Sequence, residues 1–345
     1  MVEHADLALD QLRVLAAPID APGNAAHRTP QTTARYHSPS VRRLAYVGAR
    51  ALGINAVARA AFRNRPLVLC MHGVCGERAD VPDPDGMHIP AARFDEQVGF
   101  LARHYQPVSL TDVRRSVLDG SSLPRRAVLV TFDDGYRNVV RHGLPVLRRH
   151  GVPCVLFVVT GAIDEERWLW TAELEWRRAG DPGVATLKRS LKAAPAPERR
   201  RALATEFTPP LTYPQCDNSV VGWSELRAAA RDGLVAVGSH AVHHEPLTTC
   251  SPDEVRAELV DSRRRLGEEL GGDVDAVAYP DGAASDAVAA AARDAGYSLG
   301  FTTAARHVRS SDDPLLLPRL LVGAADDPPV LAARLAGWQE WLRPV

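Results

Sequence analysis

This 345-residue chain lacks most features that would mark it as disulfide-built, membrane-spanning or nucleic-acid-binding. Its five cysteines, Cys70, Cys75, Cys154, Cys216 and Cys250, are odd in number and scattered, with no C-x-x-C pair. That usage suits a reducing compartment and argues against a disulfide scaffold or a structural zinc knot. No uncharged apolar run approaches the length that crosses a bilayer. The 41 basic and 42 acidic side chains leave a net charge of -1, so no global field draws in nucleic acid. The N-terminus, Met1-Val-Glu-His-Ala-Asp, has no basic stretch leading into an apolar core and reads as lacking a secretion signal. The expectation is a soluble, cytoplasmic protein.

The length allows one domain of about 250 residues plus an extension. Residues 1–40 carry Pro18, Pro22, Pro30 and Pro39 with few bulky apolar groups after Leu15, which reads as a short helix and a flexible arm. Residues 41–65 read as a helix with six arginines and no acid. A helix of that kind can lie on an anionic membrane, which would make peripheral contact with the inner membrane face. These arginines spread around the axis, however, and a helix packed on the domain with solvated arginines is the competing reading. From Pro66 the pattern alternates. Strands are predicted at 66–72, 126–132, 153–159, 234–239, 274–279 and 297–302, with helices at 91–104, 111–118, 137–150, 223–231, 252–268 and 284–295. Strands separated by helices imply an α/β fold on a parallel sheet, open or closed into a barrel. A last helix, Pro328 to Leu342, completes the domain. A long insertion lies between Gly161 and Val221, with Trp168, Trp170 and Trp176, a basic helical stretch and Pro209-Pro210. Insertions of this size often form substrate walls or lids, and flat aromatic faces suit sugars; core packing of these rings is the alternative.

Two stretches carry the chemistry. Thr131-Phe132-Asp133-Asp134-Gly135 places adjacent carboxylates where an apolar strand, Ala127 to Val130, runs into a glycine turn. His240-Ala241-Val242-His243-His244 follows another strand-like run, Leu234 to Val237. Each alone has a bland reading, a solvated turn or a surface histidine pair. Together, at the C-terminal ends of two strands, they supply one carboxylate and two imidazoles for a first-row metal, with coordination positions left for water and substrate. The second carboxylate stands ready as a base for that water. This is the outline of a hydrolase.

The TFDDG motif, followed about a hundred residues later by G-S-H-x-x-x-H, resembles the NodB-homology polysaccharide deacetylases, a metal-dependent carbohydrate esterase family that removes acetyl groups from sugars. The resemblance covers roughly residues 66–325. Leu67-Val-Leu-Cys-Met-His72-Gly-Val74 is similar to the first strand of the branch typified by poly-N-acetylglucosamine deacetylases. Phe94 to Val113 resembles the next helix and strand, and Ala278-Tyr-Pro-Asp-Gly282 the third motif. Gly296-Tyr297 and Leu317-Pro-Arg319 match later landmarks. The implied fold is a distorted (β/α)7 barrel, here with an N-terminal helical extension over 1–65 and a C-terminal helix over 326–345.

The resemblance also implies roles. Asp134, His240 and His244 become the metal ligands, with His243 as the alternative second imidazole, and the metal is expected to be a single Zn2+. Asp133 becomes the general base and His72 the acid, unless His72 is a buried structural histidine. Arg319 would orient Asp133, or would serve as a structural arginine. Tyr279, Pro280 and Gly282 fall on substrate-binding positions, joined by Trp170 from the insertion. Asp281 stands where the family usually has an aromatic residue, though its backbone N–H remains able to hold an oxyanion. Ala241 replaces the usual serine or threonine, which predicts weaker ordering of the metal loop. The expected activity is removal of an N-acetyl group from an amino sugar in an intracellular glycan, lipid-linked sugar or glycosylated metabolite. The alternatives are hydrolysis of another C–N amide and an inactive glycan-binding protein.

Overall fold

The computed structural model describes residues 53–77, 83, 85–208, 213, 216 and 219–342. The expected arm, most of the basic helix and Pro209-Pro210 lie outside these residues. The chain divides into two compact units, residues 64–324 and a smaller one formed by residues up to 63 and from 325 onward.

The larger unit is built on parallel strands. β1 (Leu67–Met71), β5 (Ala127–Phe132) and β6 (Cys154–Val158) are buried along their whole length. Such runs are apolar throughout because helices cover one face and the barrel interior the other. The order is β10-β1-β5-β6-β7-β8-β9, where β7 is Val235–Ser239, β8 Ala276–Ala278, β9 Leu299–Phe301 and β10 Leu320–Leu321. An eighth strand, β4 (Gln106–Pro107), pairs with the start of β5. Leu317 bridges to Phe301 in parallel, while β10 pairs with β1. The segment 317–321 thus joins the two edges and curls the sheet into the expected barrel. β2 (Gly73–Cys75) and β3 (His88–Pro90) form a separate small pair just beyond β1.

Side-chain alternation decides what faces inward. Val68, Leu129, Val155, Phe157, Ala276 and Phe301 share one core cluster inside the curl. Counting on by two from these positions reaches Cys70 on β1 and His72 just past its end, Thr131 on β5 and Asp133 just past it, and Ala278 on β8 and Pro280 beyond it. Ala236, which packs on the same cluster, leads likewise to Gly238 and His240 on β7. The inward parity of each strand therefore delivers its last residue to one mouth. Gly238 is small for a reason: a Cβ there would sit 2.3 Å from the Phe157 ring.

Helices flank the sheet: α2 (Ala91–His104), α3 (Leu110–Asp119), α4 (Leu144–His150), α9 (Trp223–Ala230), α10 (Pro252–Leu270) and α11 (Asp286–Asp294). The Ser251 side chain caps α10 at Glu254 N–H, and the Glu254 carboxylate returns the bond to Ser251 N–H. The insertion is helical: α5 (Thr160–Asp164), α6 (Trp170–Arg177), α7 (Val184–Ala193) and α8 (Ala196–Glu206). In the smaller unit, α1 (Ile54–Ala61) packs on α12 (Pro328–Ala336) through Ala58, Phe62, Ala336 and Trp338. Among the described residues no helix is long and apolar enough to cross a membrane.

Candidate active site

Asp134 takes a left-handed backbone, φ 74°, as does Gly135, φ 76°. That turn redirects Asp134, whose strand parity points outward, into the mouth beside Asp133. On β7, Ala241 at φ 65° and His244 at φ 57° fold the loop back so that His240 and His244 face the same point. Non-glycine residues in this region are strained, and three of them at one mouth mark a constrained site.

Asp134 Oδ1 lies 3.4 Å from His240 Nε2 and 3.2 Å from His244 Nε2. The donor atoms of all three residues fall within 4.8 Å of one another. His240 Nδ1 sits 2.7 Å from the Ala278 carbonyl, which fixes the proton on Nδ1 and leaves the Nε2 lone pair towards Asp134. Asp134 Oδ1 is buried with no aligned hydrogen-bond donor. Lone pairs converging on one buried point, with one carboxylate oxygen left unsatisfied, fit a divalent cation. His243 points elsewhere. Its Nδ1 is 2.6 Å from Glu258 Oε1 and its side chain is 49% exposed, so His244 is the imidazole brought to the cluster.

Asp133 is held by Arg319, fully buried, through paired bonds of 2.6 Å to Oδ1 and 2.7 Å to Oδ2. Arg319 also donates to Thr131 Oγ1 and to the Thr302 carbonyl. Burial opposes ionisation of Asp133, but the guanidinium of Arg319 paired with it is the largest influence the other way, and the carboxyl is held down at about 2. Burial likewise opposes ionisation of Asp134, and His244 and His240 overcome it, keeping that carboxyl well below its usual range. Both carboxylates are therefore charged at neutral pH. His72 Nδ1 is buried without a hydrogen-bond partner. Burial lowers its pKa more than the neighbouring Asp134 and Asp133 raise it. The donor atoms of Cys70, His72 and Asp133 also lie within 4.8 Å of one another.

Two expected substrate contacts need correction. Tyr279 is fully buried; its hydroxyl donates to the Leu315 carbonyl at 2.9 Å, and its ring packs outside the barrel with Leu247, Leu259 and Val277. It ends β8 on the outward parity, so its side chain cannot meet a ligand at the mouth. Trp170 is only 9% exposed and lies in the core of the insertion with Leu174, Leu191 and Leu203, its indole N–H donating to the His244 carbonyl at 3.2 Å. It buttresses the metal loop and offers no open ring face. Pro280 is buried, and Gly282 (φ 67°) packs where a Cβ would strike Thr303 Oγ1 at 2.1 Å. The Asp281 carboxylate is paired with Lys192 of α7 at 2.5 Å.

Several contributors had no motif to announce them. Tyr136 is buried, and burial, with the charge of Asp134 beside it, raises its pKa well above the usual value; its place two residues after Asp134 was the available signal. The Cys70 thiol donates to Asp133 Oδ2 at 3.3 Å. Glu258 accepts from the Val242 and His243 N–H groups at 2.8 and 3.0 Å, and Ser239 Oγ accepts from Ala241 N–H. This carboxylate from α10 orders the metal loop in place of a hydroxyl at Ala241.

A similar solved structure is the Streptococcus pyogenes deacetylase PplD in complex with acetate, with TM-score 0.57 and 18% identity over 79% of this chain and 98% of that one. Another is IcaB from Ammonifex degensii, with TM-score 0.57 and 23% identity over 79% of this chain and 97% of that one. At these identities the likeness speaks for the fold. In sequence, YxkH of Bacillus subtilis is 19% identical over 220 residues, 64% of this chain. The poly-beta-1,6-N-acetyl-D-glucosamine N-deacetylase of Escherichia coli is 32% identical over 99 residues, 28% of this chain. The matched stretches span 60% and 14% of those two relatives. The family described as Polysaccharide deacetylase matches residues 120–300, more than half of the chain and inclusive of every candidate metal ligand, and the chain belongs to that family.

Proposed function

We propose that the protein is a metal-dependent hydrolase that removes the N-acetyl group from an amino sugar. The observation that carries this reading is the convergence of Asp134, His240 and His244 on one point, with Asp133 charged and locked beside it. When bound there, a divalent cation supplies an acidified water and a Lewis acid for the acetyl carbonyl. Asp133, fixed by Arg319, takes the proton from the attacking water. His72, within 4.8 Å of Asp133, is neutral at rest and is the group placed to carry a proton to the departing amine. The backbone N–H of Asp281 stands at the third-motif turn as a donor for the developing oxyanion, a role that survives the change of side chain. Glu258 holds the metal loop in register.

The working place we propose is the cytoplasm, with a substrate made or carried there. The five cysteines form no disulfide and three of them are buried, which supports that reading. The test is to incubate the metal-loaded protein with N-acetylated oligosaccharides, nucleotide sugars and glycolipids and to follow free amine and acetate. Release from an acetylated amino sugar, slowed about a hundredfold or more in Asp133→Asn, is expected. Binding of these glycans with no release by the loaded protein would instead make it an inactive glycan binder.

A further inference from the structure

Helices α6, α7 and α8 form a unit with its own core. Trp170, Leu174, Leu191 and Leu203 are buried together, with Leu187 and Phe207 packed against them. A small packed core of this kind holds helices in fixed relation, unlike a long bare loop. The unit is fastened at three places around the mouth. At the end of β7, Trp170 N–H meets the His244 carbonyl, and fully buried Arg199 pairs with Glu245, the next residue, donating also to Thr249 Oγ1 at 3.1 Å. At the end of β8, Lys192 pairs with Asp281. Beyond β1, Lys188 pairs with Asp85 in the loop that leads into β3, and with Glu175 of α6.

Lys188 and Lys192 lie one turn apart on α7, about 6 Å along its axis. In the barrel order, β5, β6 and β7 stand between β1 and β8 on one side, and β9 and β10 on the other. Asp85 and Asp281 thus belong to loops that follow two strands not adjacent in the sheet, and α7 reaches both. Asp133 and Asp134 follow β5 and His240 follows β7, two strands that stand between β1 and β8 in the order, so the loops that α7 ties together flank the candidate site.

We infer that α7 is a fixed crossbar over the active site, and that the enzyme deacetylates the terminal residue of a glycan or a small glycoconjugate, and not residues inside a long chain. This rests on the deacetylase reading above. An internal sugar needs a groove open at both ends so that the polymer can leave on either side. A mouth bridged from the β1 side to the β8 side admits a chain from one direction and stops it. Specificity of this kind comes from the wall that excludes the wrong substrate, with no extra contact to the right one.

The experiment uses the metal-loaded full chain with N-acetylglucosamine oligomers of two to six units, in β-1,4 and β-1,6 linkage, and locates each free amine by tandem mass spectrometry. One acetate lost per oligomer, at a terminal ring, with a rate that levels off by the trimer, is the expected result. Lys188→Ala/Lys192→Ala should raise the ratio of internal to terminal deacetylation about tenfold. If that double variant does not fold, Lys192→Ala alone, at the partly exposed anchor, should raise it in the same direction. Internal amines in the wild-type products, or a rate that climbs steadily to the hexamer, would overturn the crossbar while leaving the deacetylase reading intact. No acetate from any acetylated sugar would overturn the deacetylase reading and the crossbar together.

Discussion

Single side chains at the mouth divide into those that hold the metal and those that move protons, and substitution should separate them. Asp134→Ala and His240→Ala each remove a donor from a three-residue set and should lose both bound metal and activity; full occupancy in both, read by elemental analysis, would dismiss the assignment. Asp133→Asn keeps the same shape and leaves the three ligands untouched. Metal content should stay near one ion per chain while turnover falls about a hundredfold or more. Arg319→Ala is a different perturbation, because it strands a fully buried carboxylate beside the Cys70 thiol. Losing one partner of a buried pair costs about 3–5 kcal/mol, so chemical denaturation should show a large loss of stability besides the loss of rate. The paired acids and the histidines were legible in the sequence because their spacing repeats a known motif. Tyr136, Cys70 and Glu258 were not, since what each touches is set by strand register and helix docking, not by neighbours in the chain. Trp170 and Tyr279 misled for the opposite reason: an aromatic ring near a motif reads the same whether it faces ligand or core.

Elements were read well where burial on both sides makes a run uniformly apolar. The strands at 67–71, 127–132 and 154–158 announce themselves in this way. β10, two residues long beside a proline and an arginine, carries no such signal, yet it closes the sheet and places Arg319. The metal loop shows one element stabilising another. Glu258 of α10 accepts two loop N–H groups and pairs with the His243 imidazole. Donation of a hydrogen bond to Glu258 raises the His243 pKa; burial opposes ionisation of Glu258, but its bonds from His243 outweigh that and lower it. A raised histidine stabilises the fold fully below its unfolded value, about 6.5, and the contribution is lost as pH rises through the folded value. A lowered carboxyl stabilises above its own unfolded value, about 4.3, and loses that as pH falls. The pair is therefore fully in force between those two values. His243→Ala should cost a few tenths of a kcal/mol near pH 6, modest because the imidazole is half exposed, and less at pH 9. Thermal unfolding of wild type and variant at both pH values checks this; an equal cost at the two would refute the coupling.

At the scale of the whole molecule, the alternation of strands and helices made a parallel sheet legible, but not its closure, which depends on Leu317 reaching Phe301 across the curl. The extent of the resemblance, 66–325, lies close to the larger unit; that residues before 64 and after 324 group as one smaller unit, and not with the domain, was hidden, because they meet only in the folded chain. Every candidate ligand, base and acid, the barrel core and the three-helix insertion fall within 64–324. The smaller unit has a separate cluster of its own, Ala58, Phe62, Ala336 and Trp338. A unit with its own core and a complete site has what independent folding requires. A fragment spanning residues 64–324 should accordingly unfold in one cooperative transition, bind about one divalent ion, and release acetate at a rate comparable to the full chain. Calorimetry, metal analysis and the acetate assay on the two proteins side by side provide the measurement. A fragment that melts without cooperativity, or folds but holds no metal, would show that the site depends on residues outside the larger unit.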